Sequence, residues 1–80
     1  MLKANVTVTL KKSILDPQGS AVEKALKSMN YPVESVRIGK YMEVVVSEDN
    51  RSRAEEIIDE ICRKLLSNPV IEEYTFELEG

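Results

Sequence analysis

The sequence predicts an α+β domain with the element order βαββαβ, in which a four-stranded sheet carries two helices on one face. Such a two-layer sandwich is ferredoxin-like in outline. Three observations support it: an alternating strand pattern at the N-terminus, two amphipathic helical stripes, and a weak internal repeat. In the repeat, Met42, Val44 and Val46 correspond to Val6, Val8 and Leu10. Two βαβ units with right-handed crossovers would build this sheet from one domain, residues 1–80.

The first strand and the first helix have clear signals. Apolar and polar residues alternate from Leu2 to Lys11, which is typical of a strand with one covered face. Asp16 is a natural N-cap and Pro17 a natural first helical residue. The helical stripe comprises Ala21, Val22, Ala25, Leu26 and Met29, and we expect Asn30 and Pro32 to end the helix.

A hairpin is predicted in the middle of the chain. Val36 and Ile38 form a short strand that leads into Gly39-Lys40, a pair that suits a two-residue turn with glycine first. In the third strand the residues predicted to face inward are Met42, Val44 and Val46. Those predicted to face outward are Tyr41, Glu43 and Val45.

The second helix has the strongest signal. Ser52 and Glu55 match a capping box, and Asn68-Pro69 stops the helix. Its apolar stripe is predicted to comprise Ala54, Ile57, Ile58, Ile61, Cys62, Leu65 and Leu66. A last strand follows, with Tyr74, Phe76 and Leu78 facing inward.

Composition excludes several function classes. The net charge of −3 argues against a general electrostatic grip on nucleic acid or on an anionic membrane. The chain has no histidine and one cysteine, so Ser/His and Cys/His catalytic pairs are excluded, and no metal-ligand pattern is visible. We expect a cytoplasmic protein with one reduced thiol, Cys62, in its core. A domain this small is marginal alone, which favours oligomerisation.

Gly19 is the first candidate functional residue, because glycine in a helix costs about 1 kcal/mol relative to alanine. The repeat aligns Asp16 with Ser52 and Gly19 with Glu55, so Asp16 and Pro17 are explained as the helix start. Either a partner or another backbone packs closely on Gly19 and Gln18, or these residues have no role beyond the helix. On the first interpretation, Gly19→Glu restores a capping box, leaves the fold intact and weakens assembly.

The predicted hairpin supplies the other candidates. Gly39 is read as a turn residue, while Arg37 and Lys40 are either solvated charges or contacts to an acidic partner or a phosphate. Tyr41 lies on the outward strand face, which is either a dimer surface or an ordinary solvated face. Two apolar loop residues, Ile14 and Leu15, either cover the edge of the core or form part of a sticky surface.

These motifs resemble a known family. The segments that carry the resemblance are Leu15–Val22, Val36–Glu43, Cys62–Asn68 and Val70–Glu72. Together they closely resemble the PurS subunit family of phosphoribosylformylglycinamidine synthase. The resemblance covers essentially the whole chain, and the two glycine-containing motifs are its specific part.

The resemblance implies a role in the fourth step of de novo purine synthesis. In that family's complex, a glutaminase subunit releases ammonia from glutamine. A large synthetase subunit uses ATP and Mg²⁺ to form the amidine. The small subunit is expected to bridge the two, to support ammonia transfer, to bind no cofactor itself, to be non-catalytic alone, and to self-associate. The subunit-interface candidates are then Asp16, Pro17, Gln18, Gly19, Arg37, Gly39, Lys40 and Tyr41.

A second interpretation remains open. Domains of the order βαββαβ often bind amino acids at dimer interfaces, so a regulatory small-molecule-binding domain is the alternative function.

Overall fold

The computed structural model describes all 80 residues and contains three strands and two helices. The strands are β1 (Leu2–Leu10), β2 (Gly39–Val46) and β3 (Glu72–Glu79), and the helices are α1 (Pro17–Ser28) and α2 (Arg51–Ile61). A π-helical segment, Cys62–Leu66, continues α2. Neither helix has the length and apolar content that a bilayer span requires.

The sheet has three strands in the order β2-β1-β3, and β1 is antiparallel to both neighbours. The predicted four-stranded sheet is therefore wrong by one strand. β2 and β3 run parallel to each other on either side of β1, with α2 between them in the chain, so the second predicted βαβ unit exists in split form. The first predicted βαβ unit does not exist. The start of β2 lies beside the end of β1, so these two strands are antiparallel and not parallel.

The missing strand is the segment Val36–Ile38, and its backbone donors explain why it does not pair. The Val36 N–H donates to Glu23 Oε1 at 3.3 Å, and the Ile38 N–H donates to Asp16 Oδ2 at 2.8 Å. The side chains of Asp16, just before α1, and of Glu23, in its middle, thus accept from the backbone N–H groups that would otherwise pair with a neighbouring strand. The predicted hairpin turn at Gly39-Lys40 is also wrong, since Gly39 is the first residue of β2 and pairs with Thr9.

The core lies between α2 and the inner face of the sheet. Ala4, Val6 and Val8 of β1 are buried against Ile58 and Cys62, which confirms the predicted alternation and the core position of the cysteine. Half-buried side chains of the outer strands complete the cluster: Met42, Val44, Val46, Tyr74, Phe76 and Leu78. Burial raises the pKa of the Cys62 thiol, which keeps it protonated and inert.

α2 begins earlier than the capping-box pattern predicts. Its N-cap is Asn50, whose Oδ1 accepts a hydrogen bond from the Arg53 N–H at 3.1 Å, so the Ser52–Glu55 box is wrong. Asparagine caps as well as serine does, and the earlier cap adds two residues to the helix. The structural counterpart of Asp16 is therefore Asn50, and that of Gly19 is Arg53.

The end of α2 was not predicted in detail. The Ser67 N–H and Oγ–H both donate to the Cys62 carbonyl oxygen, at 2.9 and 2.8 Å, which closes the widened π turn. A π turn advances each residue by a smaller angle than an α turn does. Leu65 consequently points outward with 82% of its surface exposed, whereas the sequence pattern placed it on the buried stripe. Leu66 packs against the core as predicted.

α1 begins and ends where the sequence predicts, but it does not cover the sheet as predicted. Asn30 adopts a left-handed conformation with φ of 66°, and the Tyr31 N–H bonds to the Leu26 carbonyl at 3.1 Å, which is a Schellman ending. Gly19 is the helix's only buried residue, and Val22 and Met29 are 40% and 62% exposed. Within the chain, only α2 covers the sheet.

Candidate functional site

Asp16 joins the start of α1 to the start of β2. Its Oδ1 accepts a hydrogen bond from the Gly19 N–H at 3.0 Å, while its Oδ2 accepts one from the Ile38 N–H at 2.8 Å. These two backbone donors, first Gly19 and then Ile38, lower the pKa of the Asp16 carboxyl, and the nearby Arg37 charge adds to the effect. One carboxylate thus caps the helix, as predicted, and also holds the returning chain against it.

Contacts within the chain explain why residue 19 is glycine. A Cβ on this residue would lie 2.6 Å from the Val36 carbonyl oxygen and would collide with the Asp16 carboxylate. The close approach predicted for Gly19 is real, but the neighbour is the chain's own residue 36. The expectation that Gly19→Glu leaves the fold intact is therefore wrong, because a side chain would push the helix and this segment apart.

Gly39 is also explained by close approach. A Cβ there would collide with the Val8 carbonyl oxygen and would lie 2.8 Å from Thr9 Cγ2. Its backbone has no positive φ, so a turn conformation is not the reason for the glycine. Glycine at this position lets the start of β2 approach the end of β1 closely.

Arg37 and Lys40 bind groups at the same end of the sheet. The Arg37 guanidinium donates to the Leu10 carbonyl oxygen. The Lys40 ammonium lies 3.6 Å from the Glu72 carboxylate, across the end of β1. Glu72 also accepts a hydrogen bond from the Asn68 N–H at 2.7 Å, which orients its carboxylate beside the lysine.

These groups surround an open cleft of about 380 Å³ between the first turn of α1 and the sheet end. Its lining residues are Val8, Leu10, Asp16, Pro17, Gln18, Ile38, Gly39, Lys40 and Glu72. Five of the eight predicted interface residues are therefore brought together: Asp16, Pro17, Gln18, Gly39 and Lys40. Of the others, Gly19 is buried in the α1 turn next to the cleft and Arg37 bonds to the carbonyl of a lining residue.

Tyr41 lies elsewhere. It is 63% exposed on the outer face of the sheet, where its hydroxyl donates to Asn5 Oδ1 at 2.9 Å. The structure thus separates Tyr41 from the other seven candidates, because successive residues of a strand point to opposite faces.

Exposed apolar side chains occur at the same end of the molecule as the cleft. Leu15 and Val70 are 76% and 78% exposed, and Leu65 is exposed as described above. The Lys11 N–H donates to the Ile71 carbonyl at 2.9 Å, which holds the loop after β1 beside the turn before β3. The sequence left open whether Leu15 covers the edge of the core or forms part of an exposed apolar surface. Leu65 was missed because no sequence signal marks a π turn. Val70, in the turn before β3, was missed as well.

A polar cluster beside β3 was also missed. Tyr74 donates its hydroxyl to Asp59 Oδ1 at 2.6 Å, and the Arg63 Nε donates to Asp59 Oδ2 at 3.0 Å. The hydrogen bond from Tyr74, followed by that from Arg63, lowers the pKa of Asp59, and the same bond to Asp59 raises the pKa of Tyr74. The cluster ties α2 to β3. No group of three or more metal-ligating side chains occurs in the chain.

The sequence matches a known protein family over nearly its whole length. The PurS family of phosphoribosylformylglycinamidine (FGAM) synthase matches residues 3–80. The chain belongs to the PurS family. A relative is the phosphoribosylformylglycinamidine synthase subunit PurS of Bacillus subtilis, 52% identical over 99% of this chain and 94% of that protein. The subunit of the same name from Methanocaldococcus jannaschii is 35% identical over 99% and 96%.

Solved PurS structures have the same fold. A crystal form of Bacillus subtilis PurS superposes with a TM-score of 0.88 at 52% identity over the whole of both chains. Methanocaldococcus jannaschii PurS, described as one of the subunits of formylglycinamide ribonucleotide amidotransferase in the purine biosynthetic pathway, gives 0.88 at 36% identity over 100% and 98%. A chain of the structure of PurLQS from Thermotoga maritima gives 0.87 at 32% identity over 99% of each chain. The family predicted from the sequence motifs is thus confirmed.

Proposed function

We propose that this chain is the small, non-catalytic subunit of a phosphoribosylformylglycinamidine synthase complex in purine biosynthesis. It bridges the glutaminase subunit and the ATP-dependent synthetase subunit and supports the transfer of ammonia between them. ATP, Mg²⁺ and glutamine are bound by those partners, and this chain contributes surfaces. The support is membership of the PurS family over residues 3–80 and the likeness to a chain of PurLQS.

The observation that carries the proposal is the cleft. Five residues selected from the sequence as interface candidates line one open cavity, although they come from the start of α1 and the start of β2. Leu15, Leu65 and Val70, which are all exposed, lie at the same end of the molecule as this cavity. Apolar anchors around a pocket with a few polar groups are the usual centre of a protein interface.

Co-purification from the chain's own organism tests the proposal. With an affinity tag at Met1, far from the cleft along β1, we expect mass spectrometry to identify a glutaminase and a large synthetase. Recovery of the chain with neither of these proteins, in the presence of ATP, Mg²⁺ and glutamine, would contradict the proposal.

A charge reversal locates the contact. We expect Lys40→Glu to weaken binding to the partner subunits at least tenfold, because it breaks the pair with Glu72 and places like charges together at the cleft. Arg53→Glu is the matched control, since it makes the same charge change on the first turn of α2, at the opposite end of the sheet. Equal weakening by both variants would show that net charge, not the cleft, matters.

The regulatory alternative rests on the size of the same cleft. About 380 Å³ is within the range of small-molecule pockets, which begins near 300 Å³. A thermal-shift screen with the amino acids separates the two functions: a saturable rise in Tm with one of them favours regulation, and no shift with any of them favours the subunit role.

Two further expectations belong to this proposal. The complex forms in the cytoplasm, where the single thiol stays reduced. The chain also self-associates into dimers or larger oligomers, which supplies the burial that an 80-residue domain lacks on its own.

A further inference from the structure

Lys40 and Glu72 are the charged residues on the inner face of the sheet. Because successive residues of a strand alternate between faces, both belong to the rows of side chains that otherwise build the core. Lys40 lies opposite Val8, and Glu72 lies opposite Leu10 at the end of β1. The inner face thus ends on an ion pair beside apolar side chains, and all four residues line the cleft.

The carboxylates of the cleft already have donors within the chain. The Glu72 side chain is only 14% exposed, and its Oε1 accepts from the Asn68 N–H at 2.7 Å. The Glu72 N–H donates to the Asn68 carbonyl at 2.7 Å, so the turn before β3 fixes both the backbone and the side chain of this glutamate. Asp16 accepts from two backbone N–H groups and has the Arg37 charge nearby. Neither carboxylate requires a cation from outside.

The Lys40 ammonium, in contrast, has donors to spare. Its side chain is 64% exposed, and its nearest carboxylate, that of Glu72, is 3.6 Å away, beyond the usual range of a hydrogen bond. Lys3 in the same sheet is a useful comparison, because its ammonium lies 2.6 Å from Glu43 and 3.8 Å from Glu79. A lysine of this sheet thus accommodates two carboxylates, whereas Lys40 has one at a longer distance.

Apolar side chains flank the charged end of the sheet. Leu15, shortly before α1, and Val70, shortly before β3, are both exposed. The hydrogen bond from the Lys11 N–H to the Ile71 carbonyl, at 2.9 Å, ties the loop that carries Leu15 to the turn that carries Val70. A partner that fits this end therefore presents apolar side chains together with a group that accepts hydrogen bonds from an ammonium.

We propose that the cleft receives a segment of one of the two larger subunits in which apolar side chains flank an aspartate or glutamate, and that the Lys40 ammonium binds its carboxylate. The charges of the cleft favour an anion, because its own carboxylates are satisfied by donors of this chain and its exposed ammonium is not. Such a pair contributes to the specificity and register of an interface more than to its affinity. The inference rests on the proposed function and adds the chemistry of the partner segment.

Zero-length cross-linking with a water-soluble carbodiimide tests the contact in the assembled complex. The reagent activates a carboxyl group, and an amine in contact with it displaces the reagent and forms an amide. In the complex we expect mass spectrometry to find Lys40 joined to an aspartate or glutamate of a larger subunit, and in the free chain to Glu72. Lys3 is the internal reference, since we expect it to be joined to Glu43 or Glu79 in both samples.

Lys40→Arg is the matched variant for this experiment. It keeps the positive charge, so we expect it to assemble as the wild type does. A guanidinium does not form the amide, so we expect the cross-link to the larger subunit to disappear.

The sign of a second substitution separates an anion from a cation. Glu72→Gln removes a negative charge beside Lys40, while the glutamine carbonyl still accepts from the Asn68 N–H. We expect the larger subunits to bind about threefold more tightly, the effect of removing a like charge ~6 Å away in a medium close to water. Weaker binding would show that the partner supplies a cation. Glu77→Gln makes the same charge change on the outer face of β3, and we expect it to leave binding unchanged.

Two outcomes would overturn the inference and leave the bridging function standing. One is a complex that assembles without any cross-link from Lys40 to a larger subunit, although Lys3 is cross-linked. The other is a Glu72→Gln variant that binds no more tightly than Glu77→Gln. A wild-type chain that binds neither larger subunit would refute the bridging function, and this inference with it.

Discussion

At the scale of single residues, Asp16 and Gly19 work as one unit. The carboxylate binds the Gly19 and Ile38 N–H groups, and the absent Cβ of Gly19 leaves room for the Val36 carbonyl. The cleft exists because this pair holds the start of α1 against the segment that leads into β2. Asp16 and Gly19 were selected from the sequence because they begin a helix. The second group that Asp16 binds, the Ile38 N–H, is 22 residues away along the chain and has no local signal.

We expect Gly19→Ala to destabilise the fold by about 1–3 kcal/mol, the usual cost of an extra methyl group in a packed site. Helix propensity alone would make the same substitution stabilising by nearly 1 kcal/mol, so the sign of the change is decisive. Urea unfolding at one protein concentration measures it, with Gln18→Ala, an exposed neighbour, as the control. A more stable Gly19→Ala would show that the close approach to Val36 is absent.

The Asp16 carboxylate also predicts a pH dependence. Because its pKa in the folded chain is below the ordinary value of 3.8, its stabilising contribution is fully present above that value and is lost as the pH falls through the lowered pKa. We therefore expect Asp16→Asn to be less stable than the wild type at pH 7, with the difference shrinking at pH 3 and below. Unfolding curves at both pH values measure this. The control is Glu77→Gln on the outer sheet face, and a constant difference for Asp16→Asn would contradict the prediction.

At the scale of elements, the strands that alternate were predicted with their inner and outer faces, and both helices were predicted with their approximate bounds. The errors fall where side chains replace backbone partners. Val36–Ile38 forms no strand because Glu23 and Asp16 accept hydrogen bonds from the Val36 and Ile38 N–H groups. The N-cap lies at Asn50 and not at Ser52 because both residue types cap helices well and they are only two positions apart. The π turn at Cys62–Leu66 depends on Ser67, which donates two hydrogen bonds to the Cys62 carbonyl oxygen.

The π turn makes a prediction about two neighbouring leucines. Leu65→Lys should change the free energy of unfolding by no more than about 0.5 kcal/mol, since the side chain is exposed. Leu66→Ala should cost about 2 kcal/mol, because Leu66 packs on the core. A regular α-helix would place Leu65 on the buried stripe instead. A large loss of stability in Leu65→Lys, measured by urea unfolding, would therefore rule out the π turn.

At the scale of the whole molecule, the chain has two surfaces that it does not satisfy alone. One is the exposed face of α1 with Val22 and Met29, which is consistent with the self-association included in the proposed function. The other is the cleft with its exposed leucines and valine, which suits a different subunit. They lie on different groups of residues, and a protein with both can hold two unlike partners while it self-associates. That arrangement is consistent with the bridging role proposed above.

The most direct test of this role is the glutamine-dependent rate of amidine formation by the purified synthetase and glutaminase subunits, measured as this chain is added. We expect the rate to be near background without the chain, to rise with its concentration to a plateau, and to require a higher concentration of Lys40→Glu than of Arg53→Glu for the same rise. Full glutamine-dependent activity from the two larger subunits alone would contradict the account.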